Sequence, residues 1–323
     1  MTFPDASAQN AARSGPFFVV INAGSGHHNV DDAQQVMARV FRQAGRTFEF
    51  LPIGKTEPIS VVARRAVALA QARQGVVVAA GGDGTINAVA SAVLSSGCPF
   101  GVLPQGTFNY FGRANAISQD SEAAATALVG ASISPVQVGQ VNGRIFLVNA
   151  SVGLYPQLLE DREAWKQRFG RSRFVAFMSG IATLLQARKQ LHLLVESAGR
   201  VVALRTPTLF VGNNHLQLAR VGIDEKQVDS VDAGELAGVL VRPIGTLALF
   251  GLLLRGLAGR LGDADSVDSF SFRRLTITPK GRKRIKVATD GEVAWMQAPL
   301  VFEVAAEPLL LMVPAPADRV EVA

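Results

Sequence analysis

The chain has 323 residues, of which 48% are hydrophobic and 18% are charged, so it is long and apolar enough to bury two cores. Its single cysteine, Cys98, excludes an internal disulfide framework and suits a reducing compartment. We expect no signal peptide and find no apolar stretch of roughly 20 residues, the length that spans a bilayer, which predicts a cytoplasmic protein. The net charge of +6 favours an anionic partner, whereas the few aromatic residues among the basic ones argue against nucleic acid.

Strands and helices alternate in the first part of the chain. The first 15 residues are polar and small, which predicts a disordered lead-in. Apolar runs then predict four strands, at Phe17–Ile21, Thr47–Leu51, Val76–Ala80 and Phe100–Leu103. The intervening patterns predict helices from Asp31 or Asp32 to Ala44, at Ile59–Ala72, at Ile86–Leu94 and at Glu122–Val129. This alternation is typical of right-handed βαβ units and a parallel sheet.

The pattern changes near residue 133, where short β runs become frequent. Val136–Val141 and Arg144–Asn149 are joined by Asn142-Gly143, the strongest short-range signal for a β-hairpin. Seven further β runs follow, at Leu191–Val195, Val201–Leu204, Thr208–Val211, Leu236–Val241, Ser269–Ile277, Ile285–Ala288 and Leu300–Val304. Helical stretches at about 157–187 and 245–258 interrupt them. Such a succession predicts an antiparallel β-sandwich.

We therefore expect an α/β plus β fold with two domains and a cleft between them. Residues 16–132 form the α/β domain with the parallel sheet, and residues 133–305 form the antiparallel β-sandwich domain. In open α/β sheets, ligands bind outside the carboxyl ends of the strands. The first place to look for function is accordingly the set of loops that follow the predicted parallel strands.

The stretch Val76–Val89, VVVAAGGDGTINAV, carries the strongest functional signal. Glycines at the end of a buried strand let the backbone turn tightly and approach a ligand, and the following helix presents free N–H groups to an anion. We therefore interpret Gly81–Thr85 as a phosphate cradle. Asp83 is unusual there, because a carboxylate repels phosphate unless a metal ion or a proton transfer intervenes. It indicates chemistry on the phosphate in addition to binding.

Two further loops follow strands of the same predicted sheet. Asn22-Ala-Gly-Ser-Gly comes directly after the first strand, and Pro104-Gln-Gly-Thr-Phe-Asn comes at the end of the fourth. Because the carboxyl ends of parallel strands share one edge, we expect Thr107 and Asn109 to lie near Asn22 and the glycine loop. Three such loops at one edge predict a ligand that carries phosphate.

The second domain contributes two carboxylates in Ala288-Thr-Asp-Gly-Glu. An Asp-Gly pair is a common hairpin turn, which is one interpretation of Asp290 and Gly291. The alternative is that Asp290 and Glu292 face the cleft, as a general base for a hydroxyl or as metal ligands. The basic run Arg282-Lys-Arg is open to two interpretations, a solvated turn and a contact with lipid or phosphate.

The segment Leu247–Leu257, LALFGLLLRGL, is apolar nearly all round. One interpretation is a helix buried in the core. The other is a helix that lines an acyl-chain pocket or touches a membrane, with Arg255 and Arg260 meeting anionic headgroups. The sequence leaves both open.

Taken together, these motifs resemble the diacylglycerol-kinase catalytic-domain family, which includes bacterial lipid kinases and sphingosine kinases. The resemblance runs from Phe17 to Pro314 and rests on the three loops, on Asn149-Ala-Ser-Val-Gly-Leu-Tyr-Pro and on Asp290-Gly-Glu. The GGDGT loop alone is shared with NAD kinases and 6-phosphofructokinases. The resemblance implies an NAD-kinase-like nucleotide-binding domain at 16–132, to which residues 306–315 return through a strand at Leu309–Val313. It also implies that residues 133–305 are the lipid-substrate domain.

The resemblance implies ATP and Mg²⁺ as cofactors. The residues that would contact ATP are Asn22, Gly24, Ser25, Gly81, Gly82, Asp83, Gly84, Thr85, Asn87, Gly106, Thr107 and Asn109. Glu292, with Asp290, matches the usual proton acceptor for the lipid hydroxyl, whereas in sphingosine kinases the loop aspartate, here Asp83, competes for that role. No protein ligand of a metal ion is assigned, since Ala233 stands where some bacterial members have a metal-holding aspartate.

The sequence therefore predicts an ATP-dependent kinase for a lipid hydroxyl, diacylglycerol or a related lipid, in peripheral contact with an anionic membrane surface. One alternative is a soluble small-molecule kinase of the NAD-kinase type. Another is a catalytically inactive nucleotide- or lipid-binding protein, which the replacement of usual family residues by Ala23, Ala88 and Tyr110 motivates. A homodimer is left open.

Overall fold

The computed structural model describes residues 6–22, 29–54, 56–154, 156, 159, 190–197 and 199–320. The chain divides into two compact units, unit 1 with Met1–Val138 and Ala306–Ala323, and unit 2 with Gly139–Ala305. The described residues of unit 1 form one sheet, and those of unit 2 form two. The predicted fold class, α/β followed by antiparallel β, is confirmed.

Unit 1 alternates strands and helices along the chain. Its strands are β1 Phe17–Ile21, β2 Phe48–Pro52, β3 Val76–Gly81, β4 Phe100–Pro104, β5 Ser132–Val136 and β18 Leu309–Val313. Its described helices are α1 Ala6–Ser14, α2 Asn29–Gln43, α3 Ile59–Arg73, α4 Asp83–Val93, α5 Tyr110–Ala114 and α6 Ser121–Val129. The strand order is β2-β1-β3-β4-β18-β5, and every pairing is parallel except that of β18 with β5.

The central strands of this sheet are buried on both faces. Every residue of β1, β3 and β4 is buried, which explains why these strands are continuous apolar runs without alternation. Helix α3 packs against α4 and helix α2 against α6. Right-handed crossovers place α2 and α3 on opposite faces, because the chain runs from β1 to β2 in one direction and back across β1 to β3 in the other. Helices α6 and α4 lie beside them through the packing of α6 on α2 and of α4 on α3.

The predicted disordered lead-in is wrong, because residues 6–14 form helix α1. Ala8, Ala11 and Ala12 lie on one buried face of this helix. Their spacing is helical, but small alanine side chains give only a weak apolar signal in the sequence. The guanidinium of Arg46 donates to the carbonyl oxygens of Ala11 and Ala12 at 3.1 and 2.6 Å and stacks on the ring of Phe17. A cation at the C-terminal carbonyls stabilises a helix, so a residue distant in sequence holds α1 in place.

Unit 2 is a sandwich of two antiparallel sheets. Its strands are β6 Gly139–Val141, β7 Arg144–Phe146, β8 Asn149–Gly153, β9 Leu191–Ser197, β10 Arg200–Thr206, β11 Thr208–Gly212, β12 Leu236–Val241, β13 Val267–Phe272, β14 Arg274–Pro279, β15 Arg284–Thr289, β16 Glu292–Gln297 and β17 Leu300–Val304. The sheet orders are β10-β9-β14-β17-β6-β7 and β13-β12-β11-β8-β15-β16. Both sheets contribute to one buried core, which includes Phe146, Leu275 and Phe302 from the first and Val152, Leu209 and Val287 from the second.

Three described helices accompany the sandwich: α7 His215–Arg220, α8 Glu225–Asp232 and α9 Thr246–Leu257. Helix α8 packs on β12 and β13, and Leu218, Val231 and Val239 form a small core there. The predicted helical stretch at 157–187 lies outside the described residues, apart from the single position 159.

Three predicted strands are each divided between two sheets. The run Ser269–Ile277 breaks at Arg273 into β13 and β14, and Val136–Val141 breaks into β5 of unit 1 and β6 of unit 2. The run Arg144–Asn149 ends at Phe146, after which the chain changes sheet and continues as β8. A strand that changes sheets keeps its extended backbone, so composition continues across the break while the hydrogen-bond partners change.

Candidate functional site

The loops of unit 1 meet at the point where the strand order reverses. Strand β1 pairs with β2 on one side and with β3 on the other, so the crevice at the carboxyl ends of β1 and β3 is the position where open α/β sheets bind ligands. Asn22 is the first residue after β1, half-buried, and its backbone N–H donates to the carbonyl of Ala80 at 3.4 Å. Gly24 and Ser25, which were predicted to contact ATP, lie outside the described residues.

The glycine loop joins β3 directly to α4. A Cβ at Gly81 would lie 2.7 Å from the Cβ of Thr85, so the buried Thr85 side chain occupies the space that any larger residue would need. Gly82 is the N-cap of α4 and, as a glycine, makes no side-chain capping hydrogen bond. N–H groups at the start of a helix without an N-cap side chain can donate to a ligand, and the helix dipole favours an anion there.

The second loop stacks on the first, backbone against backbone. Gln105 N–H donates to the carbonyl of Gly81 at 2.9 Å. A Cβ at Gly106 would lie 2.8 Å from the Cα of Gly82, so the two glycines allow an approach that side chains would prevent. Gly106 and Thr107 are exposed at this edge.

Asn109 shapes the second loop from within. It is 2% exposed and has a left-handed backbone with φ of 49°. Its Oδ1 accepts from Gly106 N–H at 3.0 Å, and its Nδ2 donates to the Gly106 carbonyl at 2.8 Å and to Gln119 Oε1. The side chain predicted to contact ATP thus makes its hydrogen bonds to Gly106 of the same loop and to Gln119.

Asp83 links the two loops through its carboxylate. The Asn109 backbone N–H donates to Asp83 Oδ2 at 3.0 Å, across 26 residues of sequence. Burial raises the pKa of the Asp83 carboxyl, and the backbone N–H groups of Asn109, Tyr110, Asp83 itself and Phe111 act in the opposite direction. The other oxygen, Oδ1, is buried without a hydrogen-bond partner. One oxygen therefore holds the second loop, and the other is free to accept a proton or to approach a cation.

Gln105 is a site residue that sequence reasoning did not single out. Its Nε2 is buried and has no hydrogen-bond acceptor. A buried donor without a partner costs free energy, and an anionic oxygen at the loop edge would satisfy it. The only signal in the sequence was its place between Pro104 and Gly106, where the motif tolerates any residue.

The remaining predicted residues of unit 1 are close by in sequence and structure. Gly84 is exposed in the first turn of α4, and Asn87 is half-buried in the next turn. Tyr110, which replaces a usual aspartate, lies parallel to the Phe108 ring at 6.0 Å, and Phe108 is 55% exposed. Within the described residues, no three His, Cys, Asp or Glu side chains form a metal cluster.

In unit 2, the Asp290 carboxylate accepts hydrogen bonds from the backbone. Asp290 and Gly291 form the β15–β16 turn, with φ of 46° and 88°. The backbone N–H groups of Leu147, Val148 and Asn149 donate to the Asp290 carboxylate at 2.7, 2.9 and 2.9 Å. These three residues are the segment where the chain changes sheet, so Asp290 replaces the strand pairing that is lost there.

Glu292 opens β16, an edge strand of its sheet. Arg144 donates to its Oε2 at 2.8 Å, and the Glu292 side chain is 63% exposed. Arg144 lies on β7, the edge strand of the other sheet, so the ion pair connects the two sheets at one side of the sandwich. Sequence reasoning did not anticipate a basic partner for this carboxylate.

Two buried polar oxygens lie on the neighbouring strand β8. Asn149 Oδ1 and Ser151 Oγ have no hydrogen-bond partner, although Asn149 Nδ2 donates to Gln217 Oε1 at 3.0 Å. Ala150 and Val152 point into the sandwich core, so strand alternation places Asn149 and Ser151 on the opposite face.

Helix α9 packs part of its apolar surface inside unit 2. Leu249 and Leu252 are buried in a cluster with Leu154, Val241 and Ala264, whereas Leu254 is 49% exposed. For these side chains, the buried-helix interpretation of Leu247–Leu257 is the better one. Among the helices that the structure describes, none combines the length and the apolar character needed to cross a bilayer.

Comparison with known proteins confirms the family resemblance read from the motifs. The family model of the diacylglycerol kinase catalytic domain matches residues 16–141. A diacylglycerol kinase of Bacillus subtilis is 41% identical over 88 residues, 26% of this chain and 29% of that protein. A diacylglycerol kinase of Staphylococcus aureus is 31% identical over 139 residues, 42% of this chain and 44% of that protein. The matched regions thus span less than half the length of these relatives.

The fold is similar to solved structures over nearly its whole length. Two structures from Bacillus anthracis strain Sterne each cover 94% of this chain. One has a TM-score of 0.72 at 18% identity and is itself covered to 99%. The other, a diacylglycerol kinase, has a TM-score of 0.67 at 15% identity and is covered to 98%. At these identities the likeness establishes the fold alone.

Proposed function

We propose that this chain is a kinase that transfers the terminal phosphoryl group of ATP to a hydroxyl of a lipid, diacylglycerol or a related one. One observation carries the proposal: where the two glycine loops stack, a buried donor, Gln105 Nε2, and a buried acceptor, Asp83 Oδ1, both lack partners. A phosphate oxygen satisfies the first, and a Mg²⁺ ion or a transferring proton satisfies the second. The family match over residues 16–141 supports the same assignment.

The nucleotide would be held mainly by backbone groups. Gly82 and Gly106 admit the phosphates close to the chain, and the first-turn N–H groups of α4 and Gln105 Nε2 donate to phosphate oxygens. The family resemblance adds the other proposed contacts, namely Asn22, Gly24, Ser25, Asn87 and Thr107. When bound, Mg²⁺ supplies positive charge that neutralises the transferring phosphoryl group.

We assign the proton acceptor to Asp83 in preference to Glu292. A raised pKa makes a carboxylate a better proton acceptor, and burial raises the pKa of Asp83. Its Oδ1 has no partner to displace. The Asp290 carboxylate accepts three backbone N–H groups and Glu292 accepts from Arg144, so both are already engaged.

Unit 2 would bind the lipid, and we propose that the reaction takes place at the cytoplasmic surface of an anionic membrane. The net charge of +6 supports the anionic surface, and the buried free thiol of Cys98 suits a reducing compartment. A homodimer stays a prediction, which size-exclusion chromatography with light scattering tests.

The test is transfer of label from terminally labelled ATP, with Mg²⁺, to lipids in neutral detergent micelles. The panel contains diacylglycerol, monoacylglycerol, ceramide and sphingosine, with NAD as a soluble acceptor. We expect label in one or more lipids and none in NAD. Transfer to NAD alone would establish the soluble kinase instead, and ATP binding without transfer to any acceptor would establish a binding protein.

A further inference from the structure

An exposed tryptophan on unit 2 is surrounded by positive charge. Trp295 lies on the edge strand β16 and is 57% exposed. Lys286 Nζ lies 5.3 Å and Arg284 Cζ 5.9 Å from the centroid of its ring, both within the range of cation–π contacts. We call these three side chains, Arg284, Lys286 and Trp295, the Trp295 face.

The strand register places the Trp295 face on the outside of the sandwich. Lys286 is directly opposite Trp295 in the pairing of β15 with β16, so the two side chains share a face of the sheet. Ile285 and Val287 are buried in the sandwich core, and strand alternation therefore directs Arg284 and Lys286 away from it.

The charge around this face is of one sign. The segment 280–289 contains no acidic residue and five basic ones, Lys280, Arg282, Lys283, Arg284 and Lys286. The carboxylates that follow are engaged elsewhere, Asp290 by three backbone N–H groups and Glu292 by Arg144. The segment 280–289 itself therefore contributes only positive charge to unit 2.

We propose that the Trp295 face docks unit 2 onto an anionic lipid bilayer, an inference that rests on the proposed lipid substrate. The tryptophan ring is amphipathic and settles at the headgroup level of a bilayer, and basic side chains beside it are attracted to anionic headgroups. Helix α9 is less suited to this task, because Leu249 and Leu252 are committed to the core.

The sequence contains two tryptophans. The experiment uses the full chain with Trp165→Phe, so that all tryptophan emission comes from Trp295. Phosphatidylcholine vesicles with and without phosphatidylglycerol are titrated in the absence of ATP, and binding is followed by cosedimentation and tryptophan emission. We expect binding and a blue shift with phosphatidylglycerol only. Raised salt should weaken the binding, because it screens exposed charges.

Arg284→Gln with Lys286→Gln should weaken binding about 25-fold, because each basic residue near an anionic surface contributes about fivefold in affinity. The matched control is Arg64→Gln with Arg220→Gln, two exposed arginines outside the face with the same change in net charge. The control should bind within about twofold of the parent chain. Trp295→Ala leaves no tryptophan, so it is followed by cosedimentation alone, where it should bind more weakly. Thermal unfolding checks that every variant is folded.

Equal weakening in the control pair, or no vesicle binding by the parent chain, would overturn the proposal. Tighter binding of duplex DNA, lost in the same variant, would reassign the face to nucleic acid and overturn it as well. Failure of the kinase proposal is distinguishable, since label transfer in neutral detergent micelles does not require docking. A parent chain that binds vesicles but transfers no label would contradict the kinase and keep the docking face.

Discussion

The two units each place an aspartate beside a glycine at the end of a buried strand, and they use it in opposite ways. In unit 1, the Asp83 carboxylate accepts from the Asn109 backbone through Oδ2, while its buried Oδ1 has no hydrogen-bond partner. In unit 2, Asp290 receives three backbone N–H groups within 2.9 Å. The comparison teaches that a carboxylate in a glycine turn is available for chemistry only where the surrounding backbone leaves it unsatisfied.

The difference between the two aspartates originates in the backbone segments that surround each carboxylate. Asp83 opens helix α4, and its carboxylate lies at the start of the short helix α5, whose first N–H groups favour its charged form but leave Oδ1 without a hydrogen bond. Asp290 lies in a left-handed turn beside the segment where the chain leaves β7 for β8. That segment has lost its strand partner, and its N–H groups need an acceptor.

Replacing Asp83 by asparagine should have the largest effect. The asparagine oxygen still accepts from Asn109 N–H, so the loop keeps its shape, but the proton acceptor is lost. We expect label transfer to fall by about 10²–10⁴-fold, the usual contribution of a general base. The measurement is the initial rate at saturating ATP and lipid.

The matched control is Asp120→Asn, since Asp120 caps α6 by accepting from Ala123 N–H at 2.9 Å and asparagine caps equally well. Its rate should stay unchanged. An unchanged rate in the Asp83 variant of an active enzyme would remove Asp83 from the chemistry and leave it as a loop anchor.

The same variant gives a pH test of the Asp83 environment. Because burial raises the pKa of Asp83 above its unfolded value, the ionised carboxylate lowers stability as pH rises through the folded pKa. Below the unfolded pKa the penalty is absent. Asp83→Asn should therefore raise the melting temperature near neutral pH and have less effect in acid, and the reverse trend would contradict a buried, destabilised carboxylate.

Replacing Asp290 by glycine tests the other side of the comparison. The change keeps the left-handed turn and removes the acceptor of three N–H groups. We expect the free energy of unfolding to fall by about 3 kcal/mol, since hydrogen bonds to charged groups are among the stronger ones. Urea unfolding measures it. Asp290→Asn, which keeps the turn and one acceptor oxygen, should lose less, and equal stability of both variants with the parent would contradict the structural role.

Replacing Gly106 by alanine tests the contact between the two loops. The added Cβ would lie 2.8 Å from Gly82 Cα and 2.6 Å from Asn109 Oδ1, so the loops must separate. A cost of about 2 kcal/mol, typical of overpacking, corresponds to about a 30-fold rise in KM for ATP. Steady-state kinetics at varied ATP measure it.

Gly130→Ala is the control for that change. Gly130 lies in the same unit, has a negative φ of −91° and has nothing within 4 Å of an added Cβ. Its KM should match that of the parent chain. A parent-like KM in the Gly106 variant would show that the loops do not need their close approach to bind ATP.

Replacing Glu292 by glutamine should have the smallest effect. Its ion pair with Arg144 is exposed, since 63% of the Glu292 side chain and 38% of the Arg144 side chain are accessible to solvent. Such pairs contribute less than about 1 kcal/mol to stability. We expect stability and label transfer close to those of the parent, with Arg144→Gln as the matched partner. A loss of rate as large as that of the Asp83 variant would transfer the proton acceptor to Glu292.

The sequence predicted most elements of unit 1 because its central strands are continuous apolar runs and because buried residues recur at helical spacing in helices such as α3. It failed where a contact between distant residues decides the outcome. Residues 6–14 became a helix through packing of small alanines and through Arg46. Ser269–Ile277 became two strands because sheet membership depends on partners, which local composition does not encode.

For the candidate site, the motifs identified the loops but not the function of each side chain within them. Asn109 was predicted to contact ATP, but its side chain forms hydrogen bonds with Gly106 and Gln119. Gln105, which the motif leaves variable, has the unpartnered donor. The role of a side chain depends on whether folding gives its polar atoms a hydrogen-bond partner. Only the packed tertiary structure decides this.

What the sequence by itself determined is the succession of strand, glycine turn and helix, and with it the edge at which the loops of unit 1 gather, because parallel strands all end on the same side. The tertiary structure alone decided how two similar aspartates differ. Asp83 meets a residue 26 positions away and Asp290 meets a segment more than 140 positions away. Hydrogen-bond satisfaction across such separations follows from the packing of whole sheets, which short-range sequence patterns do not specify.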